Sequence, residues 1–457
     1  MHLMTTVVDA DYLVVGAGAM GMAFTDALID HADVRVAVVD QRHGPGGHWV
    51  AAYPFVRLHQ SSDFYGMAST RLGGGQLQQR GPETGLQERA SQPEILTYFG
   101  RGVERMTDTG RVEFLFNSEY ADGAVTSRIT GRRVEVSDKT RIVDAHYLSP
   151  TIPAEMPLPF DVADGARVVT PNELARLDEA PSQYVVVGSG KTATDAIVWL
   201  LGKGVNPDAV CWIRPRDPWM LNRAVIQPDP VIYTAMTADL FQASAEGTSL
   251  DDIFLRLEDA GVMLRIDRSV TPTMAKAPTL ATWELELLRT VENVVRRGHL
   301  REVGRGRLAF AGGSLTVAAD ALVVHCAADG LKTPPRVPIW RPDVITLQTI
   351  RIGFPTFAAA LAGYLEATRE DDAEKNRLGP PNNYGNTFPE WARMNAQGLE
   401  AVRTFSAEPD IADWLSGIAL NPTRVPPGYT RTAELDAARE RLAKYGDAGV
   451  ARLLELS

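Results

Sequence analysis

The chain begins with apolar and polar segments whose order predicts a strand, a helix and a second strand. Tyr12 to Val15 is a short apolar run between acidic residues and a glycine turn, which is typical of a buried parallel strand. Met22 to Ile29 is predicted to be helical, and Val34 to Val39 is predicted to form the next strand. This order predicts a βαβ unit and favours an α/β fold.

Glycines join the first strand to the helix in a GxGxxG pattern. Such glycines permit a tight turn, let backbone amides approach a pyrophosphate, and let the helix pack closely against the strand. The second strand ends in an acidic residue, which can accept hydrogen bonds from an adenosine ribose. The segment therefore predicts a dinucleotide site, with a glycine-rich turn of another α/β fold as the alternative. The candidate contacts are Gly16, Gly18, Ala19, Met20, Gly21, Asp40, Gln41 and Arg42.

A second segment of this kind lies in the middle of the chain. Tyr184 to Val187 is an apolar run, and Ala193 to Leu201 has helical spacing of apolar residues. Between them lies a GxGxxA pattern; a P-loop is rejected because its first glycine would fall at Val185. The sequence thus predicts a second dinucleotide site. Its candidate contacts are Gly188, Gly190, Lys191 and Thr192.

Two arginines follow the next predicted strand, Ala209 to Ile213, in place of an acidic residue. Arg214 and Arg216 have guanidinium groups that suit a 2′-phosphate through bidentate hydrogen bonds, which favours NADPH over NADH. The alternative is that both are solvated surface charges. Two dinucleotide units in one chain suggest that a hydride passes from one cofactor to the other.

The remaining segments predict how the two units are connected. Residues 66–92 are rich in Gly, Gln and Arg and predict a loop, either mobile over an active site or a plain surface excursion. Ser91 can cap a helix that follows it, with Glu94 in the capping-box position. Val112 to Asp138 predicts a small antiparallel meander, and the proline-rich residues 142–171 predict a linker.

Helical segments dominate much of the second half. Thr234 to Val295 is predicted to be a helical insertion that either shapes a substrate pocket or only packs. Val344 to Glu366 predicts a short strand and then an apolar helix. Trp391 to Ser457 predicts further helices, which would cover the core or form an interface such as that of a homodimer.

Charge and cysteine content narrow the classes of function. The 457 residues carry a net charge of −11, which argues against a nucleic-acid groove because such a groove needs a basic stripe. Cys211 and Cys326 lie in apolar runs and are expected to be buried. The sequence contains neither a CxxC motif, which would indicate a dithiol site, nor closely spaced histidines, which would indicate a metal site. No apolar run is long enough for a membrane span, so we expect a soluble, cytoplasmic protein.

Two segments after Asp40 resemble those of flavin-containing monooxygenases and their Baeyer–Villiger and N-hydroxylating relatives. Gly44 to Trp49 resembles the family's Gly-Gly segment ending in Trp, which lies along FAD, and implies contacts from Gly47, His48 and Trp49. Tyr53 to Tyr65 resembles the YPG-type segment. The resemblance implies FAD at the first site. In the family an asparagine six residues after the tyrosine stands near the flavin; the matching residues here are His59 and then Gln60.

Further segments extend the resemblance from Tyr12 to about Glu366. Ala327 to Gly330 resembles the strand that returns to the FAD domain, with Asp329 in place of a threonine. The family's last FAD-domain helix implies flavin contacts from Gln348 and Arg351. The family's FxGxxxH signature is not matched, because no histidine follows Phe160 at that spacing.

The resemblance implies two dinucleotide-binding, Rossmann-like domains, with the NAD(P) domain inserted in the FAD domain. The expected divisions are an FAD domain at 1–165 and 326–400, an NAD(P) domain with a helical insertion at 166–325, and a helical extension at 401–457.

The family's activity is oxygenation of a small metabolite, at nitrogen or sulfur or by hydroxylation, through a C4a-(hydro)peroxyflavin formed from NADPH and O2. His59 and Gln60 would donate hydrogen bonds to the peroxide or the flavin edge, and a histidine there would add pH dependence near neutrality; a structural role for His59 is the alternative. Two other functions stay open: a flavoprotein reductase or dehydrogenase without oxygen insertion, and a flavin-bound regulatory protein without turnover.

Overall fold

Two parallel β-sheets with helices packed against them organise the chain, as seen in a computed structural model that describes residues 7–328, 330–351, 353–382 and 384–457. The strands are β1 (Val7–Val8), β2 (Tyr12–Val15), β3 (Val36–Val39), β4 (Val112–Leu115), β5 (Ser118–Ala121), β6 (Ala124–Ser127), β7 (Arg133–Val136), β8 (Arg141–Asp144), β9 (Asp161–Val162), β10 (Arg167–Val169), β11 (Tyr184–Val187), β12 (Val210–Ile213), β13 (Pro218–Asn222), β14 (Met263–Arg265), β15 (Met274–Leu280), β16 (Val294–Val295), β17 (Leu300–Gly304), β18 (Arg307–Phe310), β19 (Gly313–Thr316), β20 (Leu322–His325), β21 (Trp340–Arg341) and β22 (Val344–Thr346).

The helices lie between these strands and at the carboxyl end of the chain. They are α1 (Ala19–His31), α2 (Gln92–Asp108), α3 (Pro171–Leu174), α4 (Lys191–Gly202), α5 (Pro230–Glu246), α6 (Leu250–Asp259), α7 (Thr282–Leu288), α8 (Pro355–Thr368), α9 (Asp372–Leu378), α10 (Phe388–Ser406), α11 (Pro409–Gly417) and α12 (Ala433–Glu455).

The first sheet has the order β21-β22-β8-β2-β3-β4. Neighbours from β22 to β4 are parallel, and β21 is an antiparallel edge strand. The prediction of an antiparallel meander from Val112 onward is therefore wrong for β4. Helix α2 returns the chain before β4, so the strand pairs with β3 in parallel; local alternation of apolar residues does not reveal this direction. The meander consists of β5, β6 and β7.

The second sheet has the order β10-β20-β11-β12-β16, and all of its neighbouring strands are parallel. Its strands come from the chain between β8 and β22, so this unit is inserted in the first. The predicted fold class, two Rossmann-like units with one inserted in the other and a helical carboxyl-terminal extension, is confirmed.

Glycines bring two pairs of helices into close contact. A Cβ atom at Gly363 of α8 would lie 2.4 Å from the Phe24 carbonyl oxygen of α1. A Cβ atom at Gly449 of α12 would lie 2.5 Å from the Phe241 carbonyl oxygen of α5. The first contact fixes α8 on the first dinucleotide unit, and the second fixes the carboxyl-terminal extension on the insertion.

The insertion contains more strand than the sequence predicts. Strands β14 and β15 pair with β13 in a three-stranded sheet, and α7, the last helix of the predicted insertion, ends at Leu288 rather than near Val295. The helical prediction for the whole segment is therefore wrong. Strand β15 is stabilised by parallel pairing with β13, more than 50 residues earlier, for example Trp219 with Ala275. Pairing between strands so far apart in the chain leaves no pattern in the local sequence from which β15 could be predicted.

Other predictions concern single features. The helix after Ser91 begins with the expected capping box, in which the Ser91 amide donates a 2.7 Å hydrogen bond to the Glu94 carboxylate. Cys211 and Cys326 are buried, as predicted. Within the ranges that the structure describes, no helix has the length and apolar character needed to cross a bilayer.

Candidate functional site

The first glycine turn lies at the carboxyl end of β2, where α1 begins. Gly16 has a φ of +116°, a conformation that favours glycine. A Cβ atom at Gly21 would lie 1.9 Å from the Gly16 carbonyl oxygen, so only glycine fits there. Ala19 and Met20 form the first residues of α1, whose amino end lies beside the turn. Helix amino ends attract phosphate groups, so the turn has the geometry of a pyrophosphate site.

The second glycine segment lies directly on the first. A Cβ atom at Gly47 would lie 3.0 Å from the Cα atom of Gly18, and the Gly46 amide donates a 2.9 Å hydrogen bond to the Ala17 carbonyl oxygen. Residues Gly47–Ala51 then form a 3-10 helix. The chain thus places Gly18 and Gly47, two residues predicted to line the same cofactor, backbone against backbone.

Side chains of this segment are held in an apolar setting. Burial, together with the positive charge of Arg42, lowers the pKa of His48 to about 4. Trp49 is buried, and its Nε1 donates a 2.6 Å hydrogen bond to the Tyr65 hydroxyl. His48 is therefore neutral at pH 7, and Trp49 is fixed by a partner on the following loop.

Asp40 lies at the end of β3 and is 2% exposed. Its carboxylate accepts 2.8 Å hydrogen bonds from the backbone amides of Ala17 and Arg42. A carboxylate can accept about four hydrogen bonds, so acceptor positions remain for ribose hydroxyls. Gln41 is exposed, and Arg42 pairs with Glu155 at 2.7 Å. The first site therefore fits the adenosine part of a dinucleotide through Asp40.

The second glycine turn lies at the carboxyl end of β11. Gly188 has a φ of +138°, and a Cβ atom there would lie 3.2 Å from the Cys326 carbonyl carbon. A Cβ atom at Gly190 would meet no atom of the described residues within 4 Å, so these residues leave the space beside it open. Helix α4 begins at Lys191, immediately after this open space. The turn offers room for a phosphate at a helix amino end.

Lys191 takes part in a cluster of charged side chains between the two units. Lys191 pairs with Asp195 and lies 3.7 Å from Glu284. Arg223 pairs with Glu284 at 2.8 Å. We call this the interdomain cluster; its members are Glu83, Arg89, Lys191, Asp195, Arg223 and Glu284. Glu83 and Arg89 come from the loop at residues 66–92, so that loop is anchored to the second unit.

Charges within the interdomain cluster are balanced by pairing. Arg89 pairs with Glu83 at 2.7 Å, and Arg223 also pairs with Glu83. Burial raises the pKa of Glu83, but the two guanidinium groups outweigh it and lower that pKa to about 2. Both carboxylates that Arg223 contacts, Glu83 and Glu284, are thus ionised at neutral pH.

His59 faces this cluster. Its Nδ1 accepts a 3.4 Å hydrogen bond from the Thr279 amide. Burial, followed by the positive charges of Lys191 and Arg223, lowers the pKa of His59 to about 3. The imidazole is therefore neutral at pH 7, and the expected pH dependence near neutrality from His59 is wrong, because the ring is buried and most of its charged neighbours are cationic.

The two dinucleotide units contact each other through the segment after Gly47. The Tyr53 hydroxyl donates a 2.8 Å hydrogen bond to Asp195 on α4. The ring of Phe55 stacks on Trp199 of the same helix at 4.8 Å. Burial and the neighbouring Asp195 carboxylate raise the pKa of Tyr53 well above its usual value, so the phenol keeps its proton. These two contacts join the segment at Tyr53 and Phe55, which follows the first glycine turn, to helix α4, which follows the second.

Arg214 and Arg216 occupy different environments. Arg214 is 1% exposed, stacks over Trp212 at 4.4 Å, and donates from Nη2 to Asp217 at 2.8 Å. Its Nε and Nη1 have no hydrogen-bond partner among the described residues. Burial lowers the pKa of Arg214 to about 10, yet it stays charged at pH 7. Arg216 is exposed.

A further arginine, Arg296, also reaches the carboxylate of Asp217, which Arg214 contacts. Arg296 Nε donates a 2.8 Å hydrogen bond to Asp217. Sequence reasoning missed Arg296, since it follows β16, about 80 residues beyond Arg214. Its position at the end of the strand beside β12 would be the only signal, and that requires knowledge of the strand order.

A cavity of about 190 Å³ lies between the insertion, the carboxyl-terminal helices and the segment before α8. Gln60 and Arg351 line it, as does Phe354 at the start of α8. Gln60 Nε2 donates a 3.3 Å hydrogen bond to the Phe64 carbonyl oxygen. The other residues that line the cavity are Leu221, Ile226, Tyr233, Thr234, Met236, Thr237, Leu240, Phe241, Ala277, Thr279, Gly353, Trp391, Met394, Asn395, Gly398, Leu399, Val402, Thr423 and Leu442.

The remaining predicted flavin contacts are placed differently. The side chain of Gln348 donates a 2.7 Å hydrogen bond to the Val337 carbonyl oxygen and packs inside the protein. Asp329 lies outside the described residues. Gln60 and Arg351 are brought together at the cavity, while His59 contacts the interdomain cluster.

Sequence and structure comparisons place the chain among known proteins. Residues 14–52 match the model of the NAD(P)-binding Rossmann-like domain family. An open crystal structure of cyclohexanone monooxygenase superposes with a TM-score of 0.51 at 16% identity, covering 82% of this chain and 92% of that one. Steroid monooxygenase bound to NADP superposes with a TM-score of 0.50 at 15% identity, covering 97% and 98%. These likenesses establish the fold.

Closer relatives come from mycobacteria. The uncharacterized protein Rv2000 of Mycobacterium tuberculosis is 41% identical over 418 residues, which cover 91% of this chain and 78% of the relative. The uncharacterized protein Mb2023 of Mycobacterium bovis has the same identity and coverage. The chain therefore belongs to the family of these mycobacterial proteins, and its fold is that of the cyclohexanone and steroid monooxygenases.

Proposed function

We propose that the protein is an FAD- and NADPH-dependent monooxygenase that transfers one oxygen atom of O2 to a small molecule. The observation that carries the proposal is the contact between the two dinucleotide units. Tyr53, six residues after Gly47, is hydrogen-bonded to Asp195, five residues after Gly190. We infer that two nucleotide turns joined in this way would let the redox-active ends of two bound cofactors approach each other.

FAD would be held at the first unit. Gly16, Gly18 and Gly21 would form the turn around its pyrophosphate, and Asp40 would accept hydrogen bonds from the ribose. The segment from Gly47 to Trp49, packed on Gly18, would lie along the cofactor. When bound, FAD supplies the redox chemistry, since it accepts a hydride from a nicotinamide and passes electrons to O2.

NADPH would be held at the second unit. Gly188 and Gly190 leave open space at the amino end of α4 for the pyrophosphate, with Lys191 and Thr192 on the first turn of that helix. The unpartnered Nε and Nη1 of Arg214 are donors suited to the 2′-phosphate. A buried guanidinium with two donor nitrogens that lack partners among the described residues is costly, and an anionic ligand would relieve that cost.

The cavity would receive the molecule to be oxygenated. Its walls are mainly apolar, which keeps water from the reaction and raises the strength of the few polar contacts. Gln60 contributes an amide to the wall, and Phe354 at the start of α8 closes another side. We assign Gln60 the role of a hydrogen-bond donor to the reacting oxygen or the flavin edge, and His59 that of a neutral residue that positions Thr279.

Anaerobic mixing with NADPH, followed by mixing with aerated buffer, tests the proposal. We expect bleaching of the flavin by NADPH and then, with air, a transient absorbance band distinct from both the oxidised and the reduced spectrum. Immediate reoxidation with stoichiometric hydrogen peroxide would instead support a reductase without oxygen insertion, which the absent FxGxxxH histidine keeps as the second candidate. A protein that binds flavin but is not reduced by NADPH would contradict both.

A further inference from the structure

Arg351 is the one ionised side chain among the described residues that line the cavity. It is 8% exposed, and the polar contacts it makes with the described residues are hydrogen bonds to neutral hydroxyl groups, with no ion pair to an acidic residue among them. Arginine remains protonated at every physiological pH. The cavity therefore contains a buried positive charge whose countercharge is not supplied by those residues.

The contacts that Arg351 does make are neutral. Nη2 donates a 3.1 Å hydrogen bond to the Tyr233 hydroxyl, and Nη1 donates a 3.4 Å hydrogen bond to Thr423 Oγ1. The guanidinium also lies 5.2 Å from the ring centre of Tyr233 and 5.6 Å from that of Phe354. These contacts hold the group in place, but they compensate a buried cation only in part.

Tyr233 offers a second donor at the same place. Its hydroxyl oxygen accepts the hydrogen bond from Arg351, so the phenolic proton is directed elsewhere. A guanidinium and a hydroxyl side by side form the donor set that a carboxylate accepts best, through charge-assisted hydrogen bonds. The rest of the wall is made of Leu, Met, Phe, Val and Trp side chains with a few neutral polar groups.

We infer that the cavity binds a small carboxylate with an apolar body, the acid group on Arg351 and Tyr233 and the body among the side chains of α5, α10 and α12. The size supports a compact ligand, since a cavity of roughly 150 Å³ admits benzene and this one measures about 190 Å³. The inference rests on the proposed function only in taking this ligand as the molecule that is oxygenated; the binding itself is independent of the reaction.

Binding of a matched pair of probes to the flavin-loaded protein tests the inference. Phenylacetate and phenylacetamide have the same shape and differ in charge. Calorimetric titration should give at least about tenfold tighter binding of phenylacetate to the wild-type protein, a ratio expected for a charge-assisted pair. R351Q should abolish this preference and leave phenylacetamide binding unchanged, whereas R393Q, which removes an exposed arginine on α10, should retain it.

Further variants keep the test decisive. Y233F preserves the ring and removes only the hydroxyl, so it should reduce the preference in part even if R351Q fails to fold. Equal affinities for the two probes in wild-type protein, or no binding of either, would overturn the inference. So would an R351Q protein that keeps the preference but loses flavin or its reduction by NADPH, because the guanidinium would then serve the cofactor. Reduction by NADPH in wild-type protein is measured separately and reports on the proposed function alone.

Discussion

The Tyr53 hydroxyl donates a 2.8 Å hydrogen bond to Asp195, and this bond joins the segment after the first nucleotide turn to the helix after the second. Asp195 is also paired with Lys191, a predicted NADPH contact. Tyr53 is therefore linked through Asp195 to Lys191, the residue that would contact the nicotinamide nucleotide. The position of one cofactor relative to the other depends on this small set of side chains.

Replacement of Tyr53 by Phe removes that hydrogen bond and keeps the ring. We expect a loss of about 1 kcal/mol in the free energy of unfolding, the usual value for one partly buried hydrogen bond. We also expect slower flavin reduction by NADPH in anaerobic stopped-flow experiments, because Asp195 is freed to alter its pairing with Lys191. Y98F is the control, because the hydrogen bonds of the Tyr98 hydroxyl to described residues are those with Met67 and Thr70, both in the first unit. Equal reduction rates in the two variants would contradict a role for Tyr53 in placing the cofactors.

A methyl group at Gly21 tests the first nucleotide turn. The Cβ atom of G21A would lie 1.9 Å from the Gly16 carbonyl oxygen, so α1 must move away from the turn. We expect FAD affinity to fall by about tenfold or more, equivalent to ~1.4 kcal/mol of binding free energy. The matched control is G417A at the exposed end of α11, since a Cβ atom at Gly417 meets none of the described atoms within 4 Å. Flavin content and reconstitution with added FAD measure the effect; normal flavin affinity in G21A would refute the assignment of the turn.

Local sequence rules predicted the parts of the site that depend on chain geometry. The turn around Gly16 and the capping box at Ser91 are set by residues within a few positions of each other, so pattern and spacing suffice. The role of Asp40 could be predicted because an acidic residue directly after the second strand of such a unit is the usual ribose contact. These features need no knowledge of the tertiary structure.

Long-range pairing accounts for most of what the sequence did not predict. Arg223 pairs with Glu83 across 140 positions and with Glu284 across 61. His59 has a low pKa because it is buried beside Lys191 and Arg223. Both cations come from another unit, so no local pattern reveals them. The same holds for β15, whose register is set by β13. The sequence therefore indicates where the turns lie, while the charges around them are decided by the packing of the two units.

The choice between NADPH and NADH tests Arg214. R214Q removes the donors that lack partners, so we expect the KM for NADPH to rise about tenfold or more, as for the loss of a hydrogen bond from a charged group, with little change for NADH. R216Q, at an exposed position, should have a smaller effect, and the double variant the largest. K203Q is the control, because it removes the same charge at the far end of α4. Equal changes for both nucleotides would exclude a 2′-phosphate contact.

The low pKa of His59 predicts how the free energy of unfolding depends on pH. Its pKa is lowered from the ordinary value of 6.5 to about 3 in the folded protein. Between these values the unfolded chain binds a proton that the folded protein does not, so the contribution of His59 to stability is present above pH 6.5 and is lost as the pH falls. The slope attributable to one such proton is at most about 1.4 kcal/mol per pH unit.

The H59Q variant should therefore show a shallower decline in unfolding free energy from neutral pH toward pH 4 than the wild-type protein, as measured by urea titrations across that range. The slope is the informative quantity, because a constant loss from altered packing shifts the whole curve and leaves its steepness unchanged. H43Q serves as the control, since His43 is exposed and lies outside the interdomain cluster. Parallel curves for H59Q and wild-type protein would mean that the imidazole takes up its proton equally well in both states, and that the cationic neighbours do not hold it neutral.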